Sequence, residues 1–208
     1  MTEKNWEFET KAIHSGVDPD PVTGATRTPI YQSAAFAHET AESLEETFLG
    51  KKFGYYYSRV DNPTLTTLEK RITALESGRG CVAVSAGMAA ITTAITALAS
   101  SGDEILVSKS IFGSTYYLIT GHLAHCGIKA NFVSPTDTKA IKNGLSKKPK
   151  LFFLEGLGNP KLDVPNIAEI VELANEYQVP VIVDSTFTTP YLLQAKELGV
   201  HVVIHATT

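Results

Sequence analysis

Three short stretches of this sequence bring together residue types that can hold a ligand. In "SAGMAA" (85–90) a strand-like run gives way to a helical one at Gly87. The amides of Gly87 and Met88 then stand at a helix N-terminus, where first-turn donors have no partner inside the helix and favour an anion, most naturally a phosphate. A plain tight turn would use the same residues. Dinucleotides and nucleoside triphosphates are poor candidates, since the chain has neither GxGxxG nor GxxxxGK[ST]. In "VIVD" (181–184) an apolar run ends on Asp184. A carboxylate leaving such a strand needs a cation or several donors to offset its desolvation. It either caps the following turn or partners a bound cation, such as a metal or a protonated heterocycle. In "GYYYSRVDNPT" (54–64) three tyrosines and Arg59 precede a helix. The guanidinium fork suits a phosphate, while the rings could equally be core. His122 and His125 lie three apart with no third ligand at metal spacing, and read as surface or core.

Such residues work only if the elements around them hold them in place. "NPTLTTLEKRITALESG" predicts a helix capped by Asn62 or Thr64, with Leu65, Leu68, Ile72 and Leu75 on one face and Gly78 near its end. Beyond it, strand and helix patterns alternate. Strands are expected at 81–85, 104–108, 130–133, 150–155, 179–184 and 201–205. Helices are expected at 87–99, 114–126, 137–146, 167–178 and 191–198. Strands apolar along their length and separated by helices indicate an α/β fold, a parallel sheet covered on both faces with right-handed crossovers. Ligands in such sheets sit beyond the carboxyl ends of the strands. Those ends carry Ser85, Ser108, Glu155, Asp184 and His205. Residues 1–60 lack strong periodicity and are rich in Pro, Gly, Asp and Thr, so they read mostly as loop. So long a structureless stretch is unusual inside a compact domain and is better read as an arm lying over another surface. The chain thus divides into an arm, 1–60, and the beginning of a larger domain, 61–208.

Bulk properties exclude several classes. With 43% hydrophobic and 19% charged residues the composition is that of an ordinary globular protein. A net charge of −4 leaves no basic footprint for nucleic acid. The start, "MTEKNWEFET", is too polar for a signal peptide, and "GMAAITTAITALASSG" is too broken by threonines and glycines to span a membrane. Cys81 and Cys126 form no CxxC pair and read as buried, reduced thiols of a cytoplasmic protein.

Taken in order, "YSRVDNPT", "SAGMAAI", "FGSTY", "EGLGNPKLDV", "VIVDSTFTTPY" and "VVIHATT" strongly resemble the pyridoxal-phosphate (PLP) enzymes of cysteine and methionine metabolism. This group contains the cystathionine synthases and lyases, methionine γ-lyase and the homoserine-ester sulfhydrylases. The resemblance runs from about residue 8 to residue 208. It implies the fold-type I, aminotransferase-like architecture and a homotetramer with active sites shared between subunits. It also implies roles. Asp184 matches the carboxylate that pairs with the protonated pyridine nitrogen. Gly87 and Met88 match the phosphate-binding amides, and Thr208 adds a hydroxyl. Tyr57 and Arg59 match the pair that reaches the phosphate of a neighbouring subunit. Asn159 matches an asparagine beside the cofactor and the substrate carboxylate, and Phe112 the ring stacked on the cofactor.

The family stretch corresponding to "HATT" is followed by the lysine that carries PLP covalently. The resemblance therefore implies a lysine immediately after Thr208, with the rest of the sheet and a C-terminal domain beyond it. The alternative is a truncated product with half a core exposed. Two positions depart from the family pattern. Phe112 stands where most members have tyrosine, so stacking survives but a phenolic acid–base group is lost. Ala206 stands where the family has serine, so one phosphate hydroxyl is gone. Ser114 occupies the place of the cysteine usual in methionine γ-lyases. "GNPKLDV" and "PDPVTGA" look most like the O-acetylhomoserine sulfhydrylase branch. The implied reaction is formation of homocysteine from O-acetylhomoserine and a sulfur donor, either free sulfide or sulfur on a carrier. Cystathionine γ-synthase and methionine γ-lyase activities are the alternatives within the family. A non-catalytic PLP-fold regulatory or binding protein is the alternative of another class.

Overall fold

The computed structural model describes residues 6–20 and 22–207; Thr208 lies outside them. The chain forms two compact units, one up to Ala83 and one from Val84 onward.

In the first unit, α1 (Phe8–His14) packs on α3 (Pro63–Leu75), and α2 (Ala41–Phe48) lies between them in sequence. The sequence pattern did not reveal α1 and α2, because short helices with few buried residues leave little periodic trace. The Arg71 guanidinium donates to the carbonyls of Ile13 and Ser15, occupying acceptors at the C-terminal end of α1. Asn62 is the N-cap of α3, accepting from the Thr64 amide at 2.9 Å, with Pro63 opening the helix. Its amide nitrogen also donates to the Tyr31 carbonyl and to Ser58 Oγ. The irregular segments are thus fastened by polar clips. Ala35 and Tyr57 form an antiparallel bridge, and the Ser58 amide donates to the Ala34 carbonyl. The expected apolar face of α3 is not buried as a stripe. Leu75 is buried, but Leu65 and Leu68 are 39% and 37% exposed.

The second unit is built on a parallel sheet. In chain order it comprises α4 (Gly87–Leu98), β1 (Glu104–Ser108), α5 (Gly113–Tyr117), a π-helical turn (Leu118–Leu123), β2 (Lys129–Val133), α6 (Thr138–Leu145), β3 (Phe152–Glu155), α7 (Ile167–Glu176), β4 (Val181–Asp184), α8 (Thr189–Leu192), a 3₁₀ turn (Ala195–Leu198) and β5 (Val202–Ile204). The strand order is β2-β1-β3-β4-β5, and every pairing is parallel. Alternation along each strand feeds two cores. Leu106, Phe152, Leu154, Val181 and Val183 join residues of α6, α7 and the 3₁₀ turn. Ile105, Val107, Phe153, Ile182 and Ile204 join Ile91 and Ile95 of α4 and Ile119 and Leu123 of the π turn. A sheet buried on both faces needs apolar residues at every position, which is why these strands read as continuous runs.

Two expectations are corrected. Residues 81–85 form no strand. A strand exists only when paired, and no described residue pairs there; Val82 is 79% exposed. Cys126 is exposed and Cys81 only half-buried, both as free thiols. Burial, aided by the nearby Glu69 carboxylate, pushes the Cys81 thiol pKa up. No helix among the described residues is long and apolar enough to cross a membrane.

Because Asn62 joins a helix cap to two loop anchors, Asn62→Ala is expected to lower stability by about 1–2 kcal/mol, read from chemical denaturation midpoints. Asn62→Asp keeps the capping oxygen but loses both donated bonds, and should fall between wild type and Asn62→Ala.

Candidate active site

The carboxyl ends of β1, β3, β4 and β5 form one edge of the sheet in the second unit. Parallel register sets Glu155 of β3 beside Asp184 of β4, and Asp184 beside Ile204 of β5. By strand alternation Glu155 and Asp184 share the sheet face of Phe153 and Ile182, the face that α4 covers. The register therefore places two carboxylates side by side on the α4 side of the edge.

Each is held differently. Asp184 Oδ1 accepts from the Thr186 amide at 3.0 Å and from Thr186 Oγ1 at 2.6 Å. Thr186 Oγ1 in turn accepts from the Ala206 amide at 2.9 Å, tying Asp184 to the end of β5. Asp184 thus does serve the following turn, but both bonds fall on one oxygen; among the described residues none is recorded to Oδ2. Glu155 is only 6% exposed. Its Oε1 accepts from the Phe112 amide at 2.6 Å and its Oε2 from the Asn159 amide at 2.9 Å. Burial drives its pKa up to about 7; the two amides oppose that rise and the Asp184 charge adds to it.

The loops after β1 and β3 interlock. A Cβ on Gly158 would come within 2.8 Å of Ser110 Cβ, so this approach needs glycine. Ser110 Oγ also donates to the Asp163 carboxylate. At the other side of the edge, a Cβ on Gly87 would meet Ala206 Cβ at 2.8 Å. Helix α4 begins there with Ala86 as N-cap and no side-chain cap, so its first amides are open to an anion. Met88 Sδ lies 4.0 Å from Thr115 Oγ1 of α5, which links α4 back to the loop carrying Phe112. The Phe112 ring is 45% exposed at the start of α5.

The edge accordingly gathers Gly87, Met88, Phe112, Asn159 and Asp184. Tyr57 and Arg59 belong to the first unit. There the Arg59 guanidinium lies 5.1 Å from the Tyr57 ring centroid and both residues are exposed. Sequence reasoning noted Glu155 only as a strand end and passed over Thr186. Two signals were available: a glutamate closing the apolar run "LFFLE", and a hydroxyl two residues after an aspartate, where Asx-turn bonding is common.

An uncapped helix N-terminus, an acid with one oxygen open, and an exposed ring at one sheet edge fit a planar, phosphate-bearing cationic heterocycle. Comparison with known proteins agrees. Residues 9–208 match the family described as Cys/Met metabolism PLP-dependent enzyme. The chain belongs to this family.

Among its relatives, O-acetyl-L-homoserine sulfhydrylase of Corynebacterium glutamicum is 41% identical over 98% of this chain and 47% of its own length. L-methionine gamma-lyase of Pseudomonas putida is 35% identical over 97% of this chain and 50% of its own. A crystal structure of an O-acetylhomoserine (thiol)-lyase from Campylobacter jejuni, carrying N'-pyridoxyl-lysine-5'-monophosphate, superposes with a TM-score of 0.92 at 34% identity, covering 97% of this chain and 50% of that one. The chain thus spans about half the length of the curated relatives it matches. The architecture is that of the fold-type I PLP-dependent enzymes, and the family's cofactor is PLP.

Glu155 also has a measurable signature. Its folded pKa, about 7, lies above its ordinary value of 4.5. A raised carboxyl pKa means that the folded state favours the neutral acid. The corresponding stability is fully present below pH 4.5 and is lost as pH rises through about 7. Glu155→Gln cannot ionise, so its stability relative to wild type should rise across that window. Urea midpoints measured at both ends of the window check this; a parallel pair of profiles would contradict the assignment.

Proposed function

We propose that the protein of which this chain is part is a PLP-dependent γ-replacement enzyme. It would make homocysteine from O-acetylhomoserine and a sulfide donor, as an O-acetylhomoserine sulfhydrylase of methionine biosynthesis. The observation that carries the reading is the gathering of Asp184, Phe112, Asn159 and the open N-terminus of α4 at one sheet edge in a chain of this family.

Each residue has a part. The α4 amides of Gly87 and Met88 would bind the cofactor's phosphate, with the helix dipole favouring its charge. Asp184 would hold the proton on the pyridine nitrogen, and Thr186 keeps that carboxylate facing one way. Each unit by which such a pairing raises the nitrogen's pKa corresponds to about 1.4 kcal/mol. When bound, PLP acts as an electron sink that makes protons on the substrate's α-carbon removable. Phe112 would cover the ring without supplying a proton, and Asn159 would orient the substrate carboxylate. Thr208 would add a phosphate hydroxyl. Ala206 lacks the hydroxyl usual at its position, a loss of about 1 kcal/mol, small beside a covalent link and several charged contacts. Proton transfer falls to the lysine proposed to follow Thr208.

Tyr57 and Arg59 would complete the site of a neighbouring subunit in a homotetramer. What supports this is their exposure, together with the exposed apolar residues of the first unit, among them Phe48, Phe53 and Val60. The setting is cytoplasmic in this reading, in keeping with two free thiols. Within the family, Phe112 and the "GNPKLDV" loop favour the sulfhydrylase over methionine γ-lyase and cystathionine γ-synthase.

Four experiments test the proposal. Borohydride reduction followed by peptide mass spectrometry should find a pyridoxyl-lysine directly after Thr208; another residue there would refute the catalytic assignment. O-acetylhomoserine supplied with sulfide should give homocysteine, whereas a dominant product with cysteine, or breakdown of methionine without added thiol, would assign one of the other two activities. Asp184→Ala should then abolish turnover with the fold retained. Mixing it with Arg59→Ala subunits should restore activity, up to about half in a hybrid dimer, because one composite site carries neither lesion. No recovery despite demonstrated subunit exchange would place Arg59 in its own subunit's service.

A further inference from the structure

Glu155 is an expensive residue in its place. The four residues before it, Leu151 to Leu154, are fully buried and apolar, and Glu155 itself is 6% exposed. Among the described residues no cation pairs with it, and its electrostatic neighbour is an acid. Its neighbour in register is a second carboxylate, Asp184. An apolar side chain would be the more stable choice for a buried strand end. The return for this burial is specific. The Glu155 oxygens take one backbone amide from each of two loops, that of Phe112 after β1 and that of Asn159 after β3. Those amides belong to the two residues that the proposed function gives to ring cover and substrate orientation.

We propose that Glu155 is a positioning residue that fixes the gap between the Phe112 ring and the Asn159 side chain, and thereby the width and orientation of the cofactor slot. The inference rests on the assignment of that slot to PLP. Three features support it beyond the two hydrogen bonds. Both amides follow the ends of adjacent strands, in two loops that Glu155 joins directly to one another. The Ser110–Asp163 hydrogen bond and the close Ser110–Gly158 approach join the same loops at a second point, so Glu155 is one member of a double fastening. Finally, Phe112 is the residue before the first turn of α5, and its own side chain caps nothing. Its backbone is therefore held at this point by the glutamate.

The positioning role separates from a merely structural one by what each would move. A residue that only stabilises the fold lowers stability equally with and without cofactor. A residue that shapes the slot weakens cofactor binding and changes the asymmetry imposed on the bound ring. Intact protein stripped of PLP is titrated with PLP, following visible circular dichroism of the bound ring and the rise in Tm on saturation. Glu155→Leu, which removes both acceptors, should weaken binding on the order of tenfold or more and shrink both the ring dichroism and the Tm rise. Glu155→Gln keeps one acceptor oxygen and should fall between Glu155→Leu and wild type; if Glu155→Leu does not fold, Glu155→Gln decides. In a Phe112→Ala, Asn159→Ala background the Glu155→Gln effect on binding should vanish, because the groups it positions are gone.

Wild-type affinity, dichroism and Tm rise in both Glu155 variants would overturn the inference. So would a Glu155→Gln effect that persists undiminished in the double-alanine background. Failure of wild-type protein to bind PLP at all would instead overturn the functional reading on which the inference rests.

Discussion

Parallel register between β3, β4 and β5 is the constraint from which the site follows. Pairing Glu155 with Asp184 and Asp184 with Ile204 levels the three strand ends. Three loops then leave the sheet at one height and turn over the same face. A slip of one residue in β4 would send Asp184 to the opposite face, where α6 and α7 pack, and dissolve the edge. The register is secured by burial on both sides. Val181 and Val183 fill one core and Ile182 the other, so no shifted pairing keeps all three satisfied.

Levelling the strand ends brings its own difficulty, two acidic groups in adjacent positions. The chain resolves it by giving them different partners. Asp184 is bound through one oxygen to Thr186 and remains partly open. Glu155 is buried with both oxygens on backbone amides, and its pKa is pushed up to about 7. Here one keeps an oxygen open at the sheet edge and the other joins two loops.

Much of this was legible in the sequence, and the failures have physical causes. β1 was read at its observed bounds because every residue from Ile105 to Ser108 is buried, and β2, β3 and β4 were found within about two residues at each end. The strand expected at 81–85 failed because an apolar run reports burial or pairing potential, and pairing needs a second strand. The helices α1 and α2, seven and eight residues long, were missed because they are too short to repeat an apolar stripe and lie in a stretch rich in turn-forming residues. In the site, Asp184 and Gly87 could be reached from position and residue type, whereas Phe112 and Asn159 entered through resemblance. Glu155 and Thr186 stayed invisible as site residues. Their contribution lies in hydrogen bonds to amides of other loops, and no local pattern encodes which loops a fold brings together.

The edge can bind and orient, but its own residues are poorly suited to move protons. In the proposed reading Asp184 is committed to the ring nitrogen of the cofactor. Glu155 has both oxygens engaged, and protonation would weaken one of the two amide bonds that set the loops. Phe112 has no proton to give where a tyrosine would have one. In the proposed reading the described part of the sheet edge would thus be a binding frame: an anion site at α4, an acid for a cationic ring, an aromatic cover and an amide. In that reading, proton transfer at the substrate's α- and β-carbons would depend on one mobile base brought to the frame. The frame would then serve catalysis by keeping the bonds to be broken within that base's reach.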